Sequence, residues 1–178
     1  VAETPWSIQL RESLYLWPFT ESLHVLCLTL FAGTAAMLDL RLLGLLLRRV
    51  PVSALTARLL PWTRAGFLVM VVTGGLLLFA NPLRYYHNVF FRLKVVVLVV
   101  AGLNIWLFHS RIHRRVSAWD LDPRAPTAAR AAAVISLLAW AIVIVAGRLI
   151  AYNWFDCDLQ PQPGFINWAA SCSAVPPP

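Results

Sequence analysis

Charge is what this sequence has least of. Only 13% of its 178 residues are Asp, Glu, Lys or Arg, against roughly 25% in an ordinary soluble domain. The chain is also 60% hydrophobic, with a mean hydropathy of +0.70. Together these exclude a soluble single domain, because a chain this short cannot enclose so many apolar side chains in one core. Several catalytic signatures are missing as well. There is no phosphate-cradling glycine loop, no His-Glu-x-x-His zinc-protease helix and no nucleophile elbow. No Cys-x-x-Cys-His run offers covalent haem attachment. The first twenty residues hold Glu3, Arg11 and Glu12 and lack the basic start and short apolar core of a cleavable signal peptide. The first apolar span is therefore expected to serve as its own insertion signal.

What the sequence does have is four apolar stretches. Residues 22–38 contain no Asp, Glu, Lys or Arg, and the helix is expected to continue past Asp39 and Arg41 to about Leu47. Residues 65–83 and 95–110 are the second and third, the latter with a half-polar lead-in from Asn88. Residues 131–147 are the fourth, prolonged to about Trp154. Each is near the roughly 20 residues a spanning helix needs. Ahead of them, residues 5–16 mix apolar and charged positions at helical spacing. They predict a short helix in the membrane interface, with Trp6 and Trp17 at headgroup level. Thr20 is the expected N-cap of the first span. The expected architecture is an all-α, integral membrane four-helix bundle. Its parts are an interfacial segment (1–19), the bundle (20–155) and an irregular Pro-rich tail (156–178).

The net charge of +7 and pI near 10.2 raise the question of nucleic acid. The bases do not form a soluble face, however; they gather at the ends of apolar runs, as topology signals and lipid-headgroup contacts do. Arg41, Arg48, Arg49, Arg58 and Arg64 lie between spans one and two, and Arg111, Arg114, Arg115, Arg124 and Arg130 between spans three and four. Arg11, Arg84, Arg92, Lys94 and Arg148 fall on the other side with Glu3, Glu12, Glu21, Asp156 and Asp158. The positive-inside rule puts the ten in the cytoplasm and both termini on the outer (periplasmic or extracellular) side. Pro51 and Pro61 are expected to bracket the first connection. The tail would then lie in an oxidising compartment, which favours a Cys157–Cys172 disulfide over two free thiols. Cys27 reads as a packing residue within a span.

Ionisable groups in or beside a span are costly, so each is a candidate for function. His24 and His87 fall near the outer surface, with Arg84, Arg92, Lys94, Arg148 and Glu21 at similar depth. A b-type haem requires one or two imidazoles and cations for its propionates. His24 and His87 can supply axial ligands, or hold another metal, and the cations can face the carboxylates. Tyr85, Tyr86, Phe90, Phe91 and Tyr152 would surround a porphyrin. The plainer reading is an interfacial belt, with these side chains bonded to headgroups and His87 capping its helix. At the inner surface His109 and His113 share a helix face at i,i+4 spacing. Asp39 is within reach, but Arg111, Arg114 and Arg115 would repel a metal ion, which favours a solvated face. Asp39 and Arg41 are expected to pair with other helices, for instance through Arg64 or Arg111. Gly33, Ala35, Ala36, Gly74, Gly75 and Gly102 would allow close helix contact, and Asn104 would bridge two helices.

The runs Glu21-Ser22-Leu23-His24, Phe31-Ala32-Gly33 and Asp39-Leu40-Arg41-Leu42-Leu43-Gly44 resemble a family of uncharacterised four-helix bacterial membrane proteins. Thr73-Gly74-Gly75 and Phe91-Arg92-Leu93-Lys94 extend the resemblance, which covers about residues 7 to 115. More distantly the layout resembles the haem-binding membrane protoporphyrinogen oxidases and the CopD-like copper-resistance proteins. In both, a His early in one helix precedes a mid-helix Gly and a terminal base, as His24, Gly33 and Arg41 do here. In both, a Lys opens a later helix that ends near a His, as Lys94 and His109 do. The resemblance implies that His24 and Lys94 are the functional pair, and it favours haem over copper. The oxidases lack the Asp39-Leu40-Arg41 run and the long Cys-containing tail.

The leading expectation is a membrane subunit that binds haem b and passes electrons near the outer face, within a larger complex of membrane or periplasmic proteins. His24 is the expected axial ligand, His87 or His109 the second, and Lys94 and Arg92 the propionate partners. The alternatives are a non-catalytic docking subunit and a copper-handling protein. Copper would call for methionines, of which there are only Met37 and Met70.

Overall fold

The computed structural model describes residues 4–152, 154–155, 157 and 161–172. Glu3, Asp156, Asp158 and the final prolines, assigned above to the outer side and the tail, lie outside the described residues. Among those described there is no β-strand. The helices are α1 (Pro5–Glu12), α2 (Leu16–Leu42), α3 (Val52–Ala80), α4 (Pro82–Tyr86), α5 (Val89–Leu107), α6 (Thr127–Ile150) and α7 (Gly164–Ala170). α5 runs on through a π turn (Phe108–Ile112) and a 3₁₀ stretch (His113–Ala118).

Four helices are long and apolar enough to cross a membrane: α2 with 27 residues, α3 with 29, α5 and its extension with 30, and α6 with 24. Their outward faces carry large apolar side chains, such as Leu26 at 67%, Leu68 at 65% and Val96 at 61% exposure. Burying such a side chain stabilises by about 1.5–3 kcal/mol, so these faces belong against lipid. α2 packs along both α3 and α6, and α6 along α5, whereas α3 and α5 are not packed against each other. The bundle is therefore an arc in the order α3, α2, α6, α5, open on one side. Its mid-depth core is Phe31, Met70, Ala101, Ala139, Trp140 and Val143, with Phe31 edge-on to Trp140 at 4.5 Å between ring centroids.

Several sequence expectations shift in detail. Thr20 does not cap α2. The helix begins at Leu16, whose N–H is accepted by Ser13, and the Thr20 hydroxyl donates back to the Leu16 carbonyl at 2.7 Å. α2 ends at Leu42 rather than about Leu47, because the backbone turns at Gly44 with φ +70°. A Cβ there would lie 2.7 Å from the Pro123 carbonyl oxygen. Pro61 does not bound the first connection but sits inside α3. Gly33, Gly75 and Gly102 face open space; the close approaches are at Gly66, against the Cys27 carbonyl, and at Gly74, against His24. Asn104 bridges α5 to α6 as expected, donating to the Ala132 carbonyl at 2.9 Å.

The two arginine-rich connections are clasped together at one end of the bundle. Arg41 is fully buried, yet it pairs with no acid. Its Nε donates to the Val50 carbonyl at 2.7 Å, and its Nη2 to the carbonyls of Asp120 and Asp122. Ser53 donates through its N–H and its hydroxyl to the Asp120 carboxylate, at 2.7 and 2.6 Å. At the opposite end lie both described ends of the chain. The Ser7 hydroxyl of α1 donates to the Ala80 carbonyl at 3.1 Å. The tail contains α7 and the Cys157–Cys172 disulfide.

Candidate functional site

A cavity of about 480 Å³ opens at the end that carries α1 and α7, within the roughly 300–1,000 Å³ range of small-molecule sites. α2 contributes Trp17, Glu21, His24, Val25 and Leu28. α3 contributes Gly74, Leu77 and Leu78, α4 contributes Arg84 and Tyr85, α5 contributes Phe91 and Lys94, and α6 supplies Val143, Gly147 and Arg148. Four separate helices thus bring His24, Lys94, Arg84 and Arg148 to one apolar-walled space.

Thr73 of α3 orients the His24 ring. Its Nδ1 lies 2.9 Å from Thr73 Oγ1, which is also 2.8 Å from the Val69 carbonyl. With the hydroxyl proton directed to that carbonyl, Nδ1–H donates to Thr73 and Nε2 carries the lone pair. Orienting an imidazole through its other nitrogen is how proteins prepare a ligating histidine. Gly74 lets α3 reach the ring, since a Cβ there would stand 3.1 Å from His24 Cε1. Lys94 Nζ lies against α6, 3.7 Å from where a Gly147 Cβ would be.

The charges around the cavity do not cancel. Lys94, Arg84 and Arg148 face the single carboxylate of Glu21, and among the described residues none of them forms an ion pair with it. Arg148 leans over the Tyr152 ring at 5.3 Å and donates to its hydroxyl. Burial pushes the Tyr85 phenol above its ordinary value, with Arg84 drawing it down and Glu21 adding to the rise. The phenol thus stays protonated at neutral pH and can donate a hydrogen bond. An amphiphilic ligand with one or two anionic groups suits this combination of walls and cations.

The other expected site residues lie elsewhere. His87 Nδ1 is 3.1 Å from the Ala170 carbonyl. Arg92 donates to the carbonyls of Tyr86 and Ala169 and to Ser171 Oγ. Both therefore hold the tail, and neither lines the cavity. His109 is at the arginine-rich end, with Nδ1 3.0 Å from the Ile105 carbonyl and its ring 5.6 Å from that of His113. Asp39 pairs with neither Arg64 nor Arg111; it shares a cavity wall with Ser136 of α6. Among the described residues no three His, Cys, Asp or Glu side chains come together as a metal site. Sequence reasoning missed Thr73 and Gly147. Thr73 stands in a run quoted for the resemblance, but nothing in the spacing ties it to a histidine 49 residues away.

The model of a family of unknown function, DUF6644, matches residues 12–153. No curated protein and no solved structure matches the chain.

Proposed function

The chain belongs to DUF6644, and from that premise we propose that it is a haem-b-binding membrane subunit passing electrons near the outer face of a bacterial inner membrane. The reading rests on one observation: an imidazole bonded through Nδ1 to Thr73 shares an apolar cavity with three cations and one carboxylate. The residues fit the group. His24 would bind its iron, and Lys94, Arg84 and Arg148 would be available to its carboxylates. Val25, Leu28, Leu77 and Val143 would supply apolar walls. When bound, haem b supplies one-electron transfer. Thr73 orients the imidazole, and the apolar walls exclude water. Arg92 and His87, engaged with the tail, leave this role to Arg84 and Arg148. The distant resemblance to haem-binding oxidases supports the same pairing of His24 with Lys94.

The arginine-rich end would be cytoplasmic by the positive-inside rule, which puts the cavity, the disulfide and α7 on the periplasmic side. Electrons would pass there to or from another subunit. The test is a reduced-minus-oxidised spectrum of protein purified in mild detergent. A Soret and α-band change is expected, and His24→Ala should abolish it. A spectrum unchanged by that substitution removes His24 from the site, and a featureless one removes haem.

A further inference from the structure

The arginine-rich half of the arc encloses a second cavity, also of about 480 Å³. Phe31 and Trp140 of the mid-depth core form part of its wall. Most of its polar lining is already engaged. The Thr63 hydroxyl donates to Thr34 at 2.9 Å, Thr56 to the Val52 carbonyl and Asn104 to the Ala132 carbonyl. Asp39 is the exception. It is only 8% exposed, and its buried Oδ2 has no hydrogen-bond partner. Leaving such an oxygen bare costs about 1–3 kcal/mol or more, so the site is built to receive a donor.

The surroundings define that donor. Arg64 and His109 also line the cavity, and the other inner arginines crowd this end, which disfavours an ammonium ligand. The walls are apolar and aromatic, with Phe31, Phe67, Phe108 and Trp140 among them. Its lining comes from α2, α3, α5 and α6, four helices long and apolar enough to cross a membrane, which suits a lipid-soluble ligand. We propose that this cavity binds a lipid-soluble phenol or hydroquinone, whose hydroxyl donates to Asp39 Oδ2. The site is independent of His24 and of any haem.

Calorimetric titration of the full chain in lipid nanodiscs, with empty nanodiscs as reference, tests this. The ligands are a decyl-substituted hydroquinone and its dimethyl ether, which keeps the shape but has no donor. The hydroquinone should bind at least about tenfold more tightly than the ether, and Asp39→Leu should bring the two affinities together. Gly102 lines the cavity, and a Cβ there meets no atom within 4 Å. Gly102→Phe should therefore fill the space and abolish binding of both ligands while thermal melting is retained, a result that stands even if Asp39→Leu fails to fold. Equal affinity of the wild type for the two ligands overturns the proposal, as does binding that survives Gly102→Phe. Asp39-dependent binding of decylamine in place of the hydroquinone overturns it too, in favour of a cationic ligand.

Discussion

At the scale of single residues, the hydroxyl of Thr73 decides what His24 can do. Thr73→Val keeps the volume and removes the acceptor for Nδ1–H. The ring is half-buried, so the expected loss is about 1 kcal/mol of stability, read as a lowered thermal midpoint. If the cavity holds haem, loss of this orienting bond should also weaken retention by about tenfold or more, measured as haem-to-protein ratio after detergent dilution. A wild-type ratio in Thr73→Val would show that the bond does not orient a ligand. The sequence made His24 and Lys94 legible because a charge or an imidazole in an apolar run stands out on its own. It placed His87 and Arg92 at the same depth, and the structure bonds both to the tail. Depth can be read from distance along a span, but the direction of a side chain depends on what packs against it, and here that is α7. Gly33 and Gly75 misled in the same way, since a small residue signals close contact only when a neighbouring helix lies on its side.

Elements were recovered better in their middles than at their ends. Long apolar runs fix where a helix crosses lipid, because every backbone polar group there must be paired within the helix. The ends depend on local bonds that composition does not reveal, such as Ser13 with Leu16 and the left-handed Gly44. The clasp between the two arginine-rich connections is such a feature, and it carries a pH dependence. Bonds from the Ser53 hydroxyl and N–H, with help from the Val52 N–H and the Arg41 charge, hold the Asp120 carboxyl below its ordinary value of 3.8. A carboxyl depressed in the folded state contributes stability above its unfolded value and loses it as pH falls through the folded one. The clasp should therefore be intact at neutral pH and should loosen only below about pH 4. Hydrogen exchange at Ser53 should rise in that range, and Asp120→Asn should raise it at pH 7 and flatten the dependence. A second element prediction concerns α7. Cys157 and Cys172 are 15 residues apart, and closing a loop of that length restrains the unfolded segment by about 3 kcal/mol. Reduction should make residues 161–172 sensitive to protease while the four spanning helices keep their helicity by circular dichroism.

The whole molecule is an arc of four helices with one cavity toward each end. Its chemistry then depends on which end faces which compartment. Ten of the fifteen bases belong to the clasped end, and moving them across a bilayer is opposed during insertion. That end should be cytoplasmic. Arg114 lies on the 3₁₀ stretch there, and Gln162 in the tail at the opposite end. In a Cys27→Ala background with the disulfide intact, Arg114→Cys should react with a membrane-impermeant maleimide only after cells are opened. Gln162→Cys should react in intact cells whose outer barrier is permeabilised. The reverse pattern would put the His24–Lys94 cavity on the cytoplasmic side and rule out electron exchange with a periplasmic partner. It would also leave the Cys157–Cys172 bond in a reducing compartment, where such bonds are rare. Orientation and disulfide are thus coupled: labelling from the predicted side requires the tail thiols to resist alkylation until a reductant is added, and both can be measured on the same cells.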